Sequence, residues 1–297
     1  MIRTKTFLHA CTSSLGGKTV AITGSTGGIG GELCRYLAVL GASLILLDRN
    51  EERSHAHRER LMGEYPGVTV ECIPLDLEDI RSVKRACECL HTRTLDVFIH
   101  NAGAYSIPRH KTSCGYDNVF QINFASPYYM IDSLLPQLRE RGGRVIAVGS
   151  IAHRYSHIDP HDVDFSARST SSKVYGNAKR YLMFGLWERF RGEEGAELVI
   201  AHPGITLTGI TAHYPKVIFA LIKHPMRVIF MKPRRACLAI LWGLFEDCGY
   251  GTWLGPGLFD VWGLPRKKRL GGCPSAEREE IGRLAARVLK QCKECAQ

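Results

Sequence analysis

The stretch TVAITGSTGGIG, residues 19–30, decides the fold. Its first half is a β-branched, apolar run of buried-strand type, and it opens without a linker into a glycine-rich turn. Gly24, Gly28 and Gly30 permit a tight turn, close approach of the backbone to a pyrophosphate, and tight packing of the next helix, whose N-terminus favours an anion. A strand that runs straight into such a turn predicts a dinucleotide-binding βα unit.

The alternation continues outward. LILLD (44–48), VTVECIPLD (68–76), LDVFIHNAG (95–103), GRVIAVGS (143–150), ELVIAHPG (197–204) and TWLGPG (252–257) read as further strands. Helical segments fall at residues 28–40, 50–64, 80–90, 116–141, a stretch ending at 190, and 234–245. Strands alternating with helices mean crossover units and a parallel sheet. No repeat or low-complexity linker divides the 297 residues. The expectation is one α/β domain, a Rossmann-like, doubly wound parallel sheet over residues 17–265. An N-terminal extension (1–16) precedes it, a helical substrate-loop excursion interrupts it at about 205–233, and a basic helical tail (266–297) follows it.

Composition narrows the classes. Hydrophobic content of 45% with 23% charged residues is ordinary for a globular protein. A net charge of +10 raises the question of a polyanion partner, but Lys232-Pro233-Arg234-Arg235 and Arg266-Lys267-Lys268-Arg269 are short clusters without a nucleic-acid motif, so they read as solvated surface. Eleven cysteines, odd in number and scattered, with no apolar leader in MIRTKTFLHACTSS, point to a reducing cytoplasm. The CxxC pair Cys292 and Cys295 has no second pair to complete a zinc site, and reads as a tail with incidental thiols. VIFALIKHPMRVIFM (217–231) is too short and too charged to span a bilayer; a lid over an apolar pocket or a subunit contact is favoured over a membrane-surface anchor.

YGNAK (175–179) sets a phenol and an ammonium four residues apart, on one face of a helix. Taken with TGxxxGIG, Asp48, Asp76-Leu77, Asn101-Ala102-Gly103, Asn123, Ser150 and Pro203-Gly204 followed by Thr208, in that order along the chain, it resembles the short-chain dehydrogenase/reductase family over about residues 17–257. The resemblance implies an NAD(P)-dependent enzyme that interconverts an alcohol and a carbonyl group. Tyr175 would be the general acid or base. Lys179 would favour its phenolate and bind the nicotinamide ribose. Ser150 would hydrogen-bond the substrate oxygen, and Asn123 would hold a water that links the lysine to solvent.

The resemblance also supplies a cofactor-binding set: Thr23, Gly24, Thr26, Gly28, Ile29, Gly30, Asp48, Arg49, Asp76, Leu77, Asn101, Ala102, Gly103, Tyr175, Lys179, Pro203, Gly204, Ile205 and Thr208. Asp48, at a strand end, can accept both ribose hydroxyls and repel a 2′-phosphate, which favours NAD(H); Arg49 could instead clamp that phosphate, which leaves NADP(H) as the alternative. No metal is expected. His100 departs from the family's usual asparagine. The loop between Ser150 and Tyr175, with His153, His157 and His161, is long, as in the retinol-dehydrogenase-like branch, and implies a retinoid, steroid or long-chain substrate. A catalytically silent redox sensor of the same fold is the rival reading, disfavoured because the tyrosine and lysine are both kept. An epimerase or dehydratase of the extended branch is disfavoured by the glycine spacing. The long helices at 116–141 and 175–190 carry apolar faces that predict a homodimer or homotetramer.

Overall fold

The computed structural model describes residues 13–168, 170–206 and 231–297. Thr208 and most of the apolar segment at 217–231 therefore lie outside the described residues.

The chain alternates as its hydrophobic periods demand: β1 (Thr19–Thr23), α1 (Gly28–Val39), β2 (Ser43–Asp48), α2 (Glu51–Glu64), β3 (Val70–Pro74), α3 (Ile80–His91) and β4 (Val97–His100). One helical turn (Asn118–Phe120) and a π turn (Gln121–Ala125) lead into α4 (Ser126–Glu140) and β5 (Gly143–Val148). A 3-10 turn (Ile151–Tyr155), α5 (Ser171–Arg189) and β6 (Ala196–Ala201) follow. The remainder is α6 (Pro233–Ala236), α7 (Leu238–Trp242), β7 (Thr252–Leu258), β8 (Trp262–Arg269) and α8 (Ser275–Cys295). Side-chain caps start α2 and α3, where Asn50 and Asp79 accept from the amides of Arg53 and Arg81.

One sheet runs in the order β3-β2-β1-β4-β5-β6-β7-β8, parallel until β8 turns back against β7. The order reverses beside β1, whose neighbours are β2 and β4, and this opens a crevice at the carboxyl ends of those strands. Helices cover both faces. Phe98, Val145 and Ile200 join a core with α3, α4, α5 and α8, while Ile22, Ile99 and Ile146 join another with α1 and α7.

One expectation is corrected. Residues 266–269, assigned to a helical tail, form the end of β8, in which Lys267 and Lys268 pair with Leu254 and Trp253. A strand with one free edge tolerates proline and charge, so Pro265 and the basic run fit there although they read poorly as a strand. The tail helix itself packs onto the domain. Ile281, Leu284, Ala285, Val288 and Cys292 are buried against α4 and α5. Arg180 of α5, itself buried, donates to both Glu277 carboxylate oxygens (2.7 and 2.6 Å) and to the carbonyls of Gly272 and His153. The apolar helix faces that suggested oligomerisation are thus covered from within the chain.

Candidate active site

The glycine turn is forced by close approach. Gly24 has φ +71°, and a Cβ there would meet the Ala102 backbone at 3.0 Å; a Cβ on Gly30 would lie 2.1 Å from the Gly24 carbonyl oxygen. Thr23 backs this turn from a fully buried position rather than lining the cleft. Its Oγ1 accepts from the Asn101 and Ala102 amides (3.1 and 3.0 Å), and its own hydrogen is then free for His100 Nδ1 at 3.2 Å. His100, where the family usually has asparagine, thereby serves strand-to-strand bonding; burial, with Lys179 adding to it, pushes the imidazole well below its ordinary range and keeps it neutral. Asn101 returns two bonds to the turn, donating to the carbonyls of Thr23 and Gly24 at 3.1 Å.

Asp48 closes the nucleotide end. Only 4% exposed, its carboxylate accepts from the Ser25, Thr26 and Ser54 hydroxyls (2.5, 3.1 and 3.1 Å) and the Thr26 amide (3.1 Å). Arg49 stands 70% exposed at the rim, 3.7 Å from Glu78. Arg53, which the motif reading missed, also borders the cleft. It sits one turn beyond the α2 cap, where the sequence offers only a basic residue after a strand.

The reactive end is built by α5, β5 and the π turn. Ser150 caps the 3-10 turn, accepting from the Ala152 amide at 3.1 Å, and lines the cleft together with the Tyr175 phenol. Within YGNAK, Gly176 and Asn177 have packing duties. A Cβ on Gly176 would lie 2.5 Å from the Ala152 carbonyl oxygen, and Asn177 donates to Val163 O at 2.8 Å to hold the long loop. Lys179, 2% exposed, donates to Val148 O at 2.9 Å. Its ammonium lies 5.7 Å from the Tyr175 ring centroid.

Burial sets the protonation of both groups. It lowers Lys179 to about 7 and raises Tyr175 to about 12; the nearby Ser150 hydroxyl opposes the latter and Tyr105, edge-on at 5.3 Å between ring centroids, adds to it. The rise at Tyr175 follows from this burial, while Lys179 is directed at a backbone carbonyl. Asn123 lies in the π turn, fully buried, and donates to Ala104 O and Val119 O at 2.8 Å. Its Oδ1 has no hydrogen-bond partner among the described residues. A Cβ on Gly103 would sit 2.8 Å from that oxygen and 3.7 Å from Lys179 Nζ, so glycine there lets the two groups converge.

These residues share one cleft of about 640 Å³. Gly24, Thr26, Gly28, Ile29, Gly30, Asp48, Arg49, Asp76, Leu77, Asn101, Ala102 and Gly103 line one end, and Ser150, Tyr175, Lys179, Pro203, Gly204 and Ile205 the other. Thr23 and Asn123 stand behind the wall. Of the loop histidines, His153 is buried with Nδ1 2.6 Å from Ser150 O, while His157 and His161 are exposed; none lines the cleft. Tyr105, Tyr155, Ser172 and His202 do line it and were not singled out from the sequence. His202, in HPG after β6, was the legible one.

A family model for short chain dehydrogenases matches residues 18–160. The chain belongs to the short-chain dehydrogenase family. Among its relatives, mouse retinol dehydrogenase 12 is 32% identical over 209 residues, which cover 68% of this chain and 66% of that protein. The chain spans just under two thirds of the length of the first curated relatives it matches. A solved structure of an uncharacterized Mycobacterium paratuberculosis protein, 24% identical, shares the fold with a TM-score of 0.73 over 97% of this chain and 96% of that one. The Pseudomonas aeruginosa RhlG/NADP active-site complex is 26% identical, with a TM-score of 0.61 over 81% and 93% of the two chains. Among the described residues of this family member, no helix is long and apolar enough to cross a membrane.

Proposed function

We propose that the protein is an NAD(P)-dependent oxidoreductase interconverting an alcohol and a carbonyl group, with Tyr175 as general acid and base. The observation that carries this reading is the meeting of Ser150, Tyr175 and, on the next turn of α5, Lys179 at one end of a cleft whose other end is the glycine turn. The cleft fits a dinucleotide: the turn is bare of Cβ atoms where a pyrophosphate must approach, and the N-terminus of α1 stands over it. When bound, the nicotinamide cofactor supplies or accepts the hydride. Tyr175 gives a proton to the carbonyl oxygen or takes it from the alcohol, and Ser150 donates to the same oxygen as charge develops on it. Lys179 binds the ribose and, with Asn123, carries protons toward solvent. Burial keeps the phenol protonated near neutral pH, the form that gives the proton to a carbonyl oxygen.

The substrate is taken to be apolar, of retinoid, steroid or long-chain type. Ile151, Ala152, Tyr105 and Tyr155 line the reactive end, and the retinol dehydrogenase relative supports the class. NAD(H) is the proposed cofactor, because Asp48 fixes a carboxylate beside the site of a 2′-phosphate. One observation favours NADP(H) instead: both Asp48 oxygens are already taken by the chain's own donors, and Arg49 and Arg53 stand at the rim. The expected homodimer or homotetramer needs another contact surface than the α4 and α5 faces, and light scattering at micromolar concentration reads the mass directly.

A panel of apolar alcohols, aldehydes and ketones with each cofactor tests the reading. Turnover with one compound class supports it. Cofactor binding without turnover on any member would favour the silent sensor.

A further inference from the structure

We propose, resting on the reading of Ser150 given above, that His153 is a positioning residue: its imidazole grips the Ser150 carbonyl and so fixes the direction from which the Ser150 hydroxyl meets the substrate oxygen.

Ser150 stands between β5 and the 3-10 turn, whereas Tyr175 is on α5. The two can serve one oxygen only if the turn is held still against that helix. The side chain of Ser150 is held from one direction, because its Oγ accepts from the Ala152 amide at 3.1 Å and keeps its own hydrogen for another acceptor. Its carbonyl is held from the other. That oxygen accepts from the His153 amide at 3.2 Å and lies 2.6 Å from His153 Nδ1. A carbonyl only accepts, so Nδ1 carries the ring proton and donates it. Burial lowers the imidazole to about 4, against the pull of the Ser150 bond, so the ring is neutral near neutral pH and has one proton to give. Nε2 has no hydrogen-bond partner among the described residues.

The ring is fixed in turn. Fully buried, it stands edge-on to Phe184 and Trp253, with centroids 5.8 and 5.6 Å away. Arg180 donates to the His153 carbonyl at 3.1 Å, and Glu277 of α8 holds Arg180. An apolar residue of similar size would fill the space beside these aromatic rings as well, but would leave the Ser150 carbonyl with its amide bond alone. That difference separates positioning from packing.

Two substitutions exploit it. His153→Leu keeps apolar volume and removes the donor. His153→Asn sets an amide nitrogen where Nδ1 stands, yet fills less space and buries a second polar atom. Packing alone ranks Leu above Asn, whereas positioning reverses the order in turnover. Both variants, checked for folding by circular dichroism, are assayed with a substrate from the panel well below their unfolding midpoints. The kcat of His153→Leu should fall by on the order of 10–100-fold with cofactor affinity unchanged, while His153→Asn stays within about threefold of the unaltered protein despite a lower unfolding midpoint. Hydrogen exchange by mass spectrometry needs no turnover: the peptide over the turn should exchange roughly tenfold faster in His153→Leu than in His153→Asn, with β5 unchanged. If no compound is turned over, the oxidoreductase reading fails and the exchange contrast still decides whether His153 holds the turn. Unaltered kcat and exchange in His153→Leu, or an equal loss in His153→Asn, would overturn the inference. Should neither variant fold, nitrogen NMR of the histidine-labelled unaltered protein decides: a neutral ring protonated on Nδ1 supports the grip, and one protonated on Nε2 overturns it.

Discussion

The two ends of the cleft are built on opposite rules. At the nucleotide end the polar groups answer one another: Asp48 takes four hydrogen bonds, and Thr23 and Asn101 tie the glycine turn to β4. At the reactive end, among the described residues, Asn123 Oδ1 has no hydrogen-bond partner and the buried Lys179 donates to one carbonyl, while the Tyr175 phenol is held far from ionising. A saturated network rigidifies a binding surface, whereas undersatisfied buried groups cost stability and remain available for chemistry. The difference locates where this protein trades stability for function.

The sharpest way to break the comparison is Tyr175→Phe. Turnover should fall by a factor on the order of 10²–10⁴ while fold and cofactor binding persist, as single-turnover assays and cofactor fluorescence will read. Near-normal turnover would remove the reactive end from the mechanism. Gly30→Ala attacks the other end: its Cβ collides with backbone, so stability should drop by about 1–3 kcal/mol in denaturant titration, and dinucleotide binding should be lost with it.

Lys179→Met probes the cost of the reactive end. With a folded pKa of about 7 against an ordinary 10.5, the unfolded chain binds more protons between those values, so this lysine's penalty is full below pH ~7 and fades toward pH ~10. The variant should therefore be inactive yet more stable than the unaltered protein at pH 7, by on the order of 1–2 kcal/mol, with the gap shrinking as pH rises. A constant gap across that range would show that the ammonium carries no such penalty. The smallest effect is expected for Asp48→Asn. Removing the charge while keeping the shape should shift relative affinity toward NADP(H) by roughly tenfold or less, one hydrogen-bond equivalent. No shift would pass cofactor choice to Arg49 and Arg53.

What could be read from the sequence follows from how local each cause is. Glycines forced by φ or by backbone approach, and the Tyr175–Lys179 spacing, are legible because neighbouring residues carry them. Strand β8 is not, since WGLPRKKR is justified only by its pairing with β7. The burial of α8 left a weak trace, the apolar steps 281, 284, 285, 288 and 292, which fit one helical face but do not say what covers it. The direction of Lys179, toward the Val148 carbonyl, is a matter of rotamer and could be known only from the fold.

The docking of α8 has a consequence for how the protein is made. A ribosome releases α8 after every strand of the sheet, and the Tyr116–Gln291 contact joins positions 175 residues apart. Until then α5, which carries Tyr175 and Lys179, presents a bare apolar face and an Arg180 guanidinium without its Glu277 partner. A nascent chain with its sheet complete thus exposes this apolar surface until α8 docks, and transiently exposed apolar surface is what makes partly folded chains prone to aggregate.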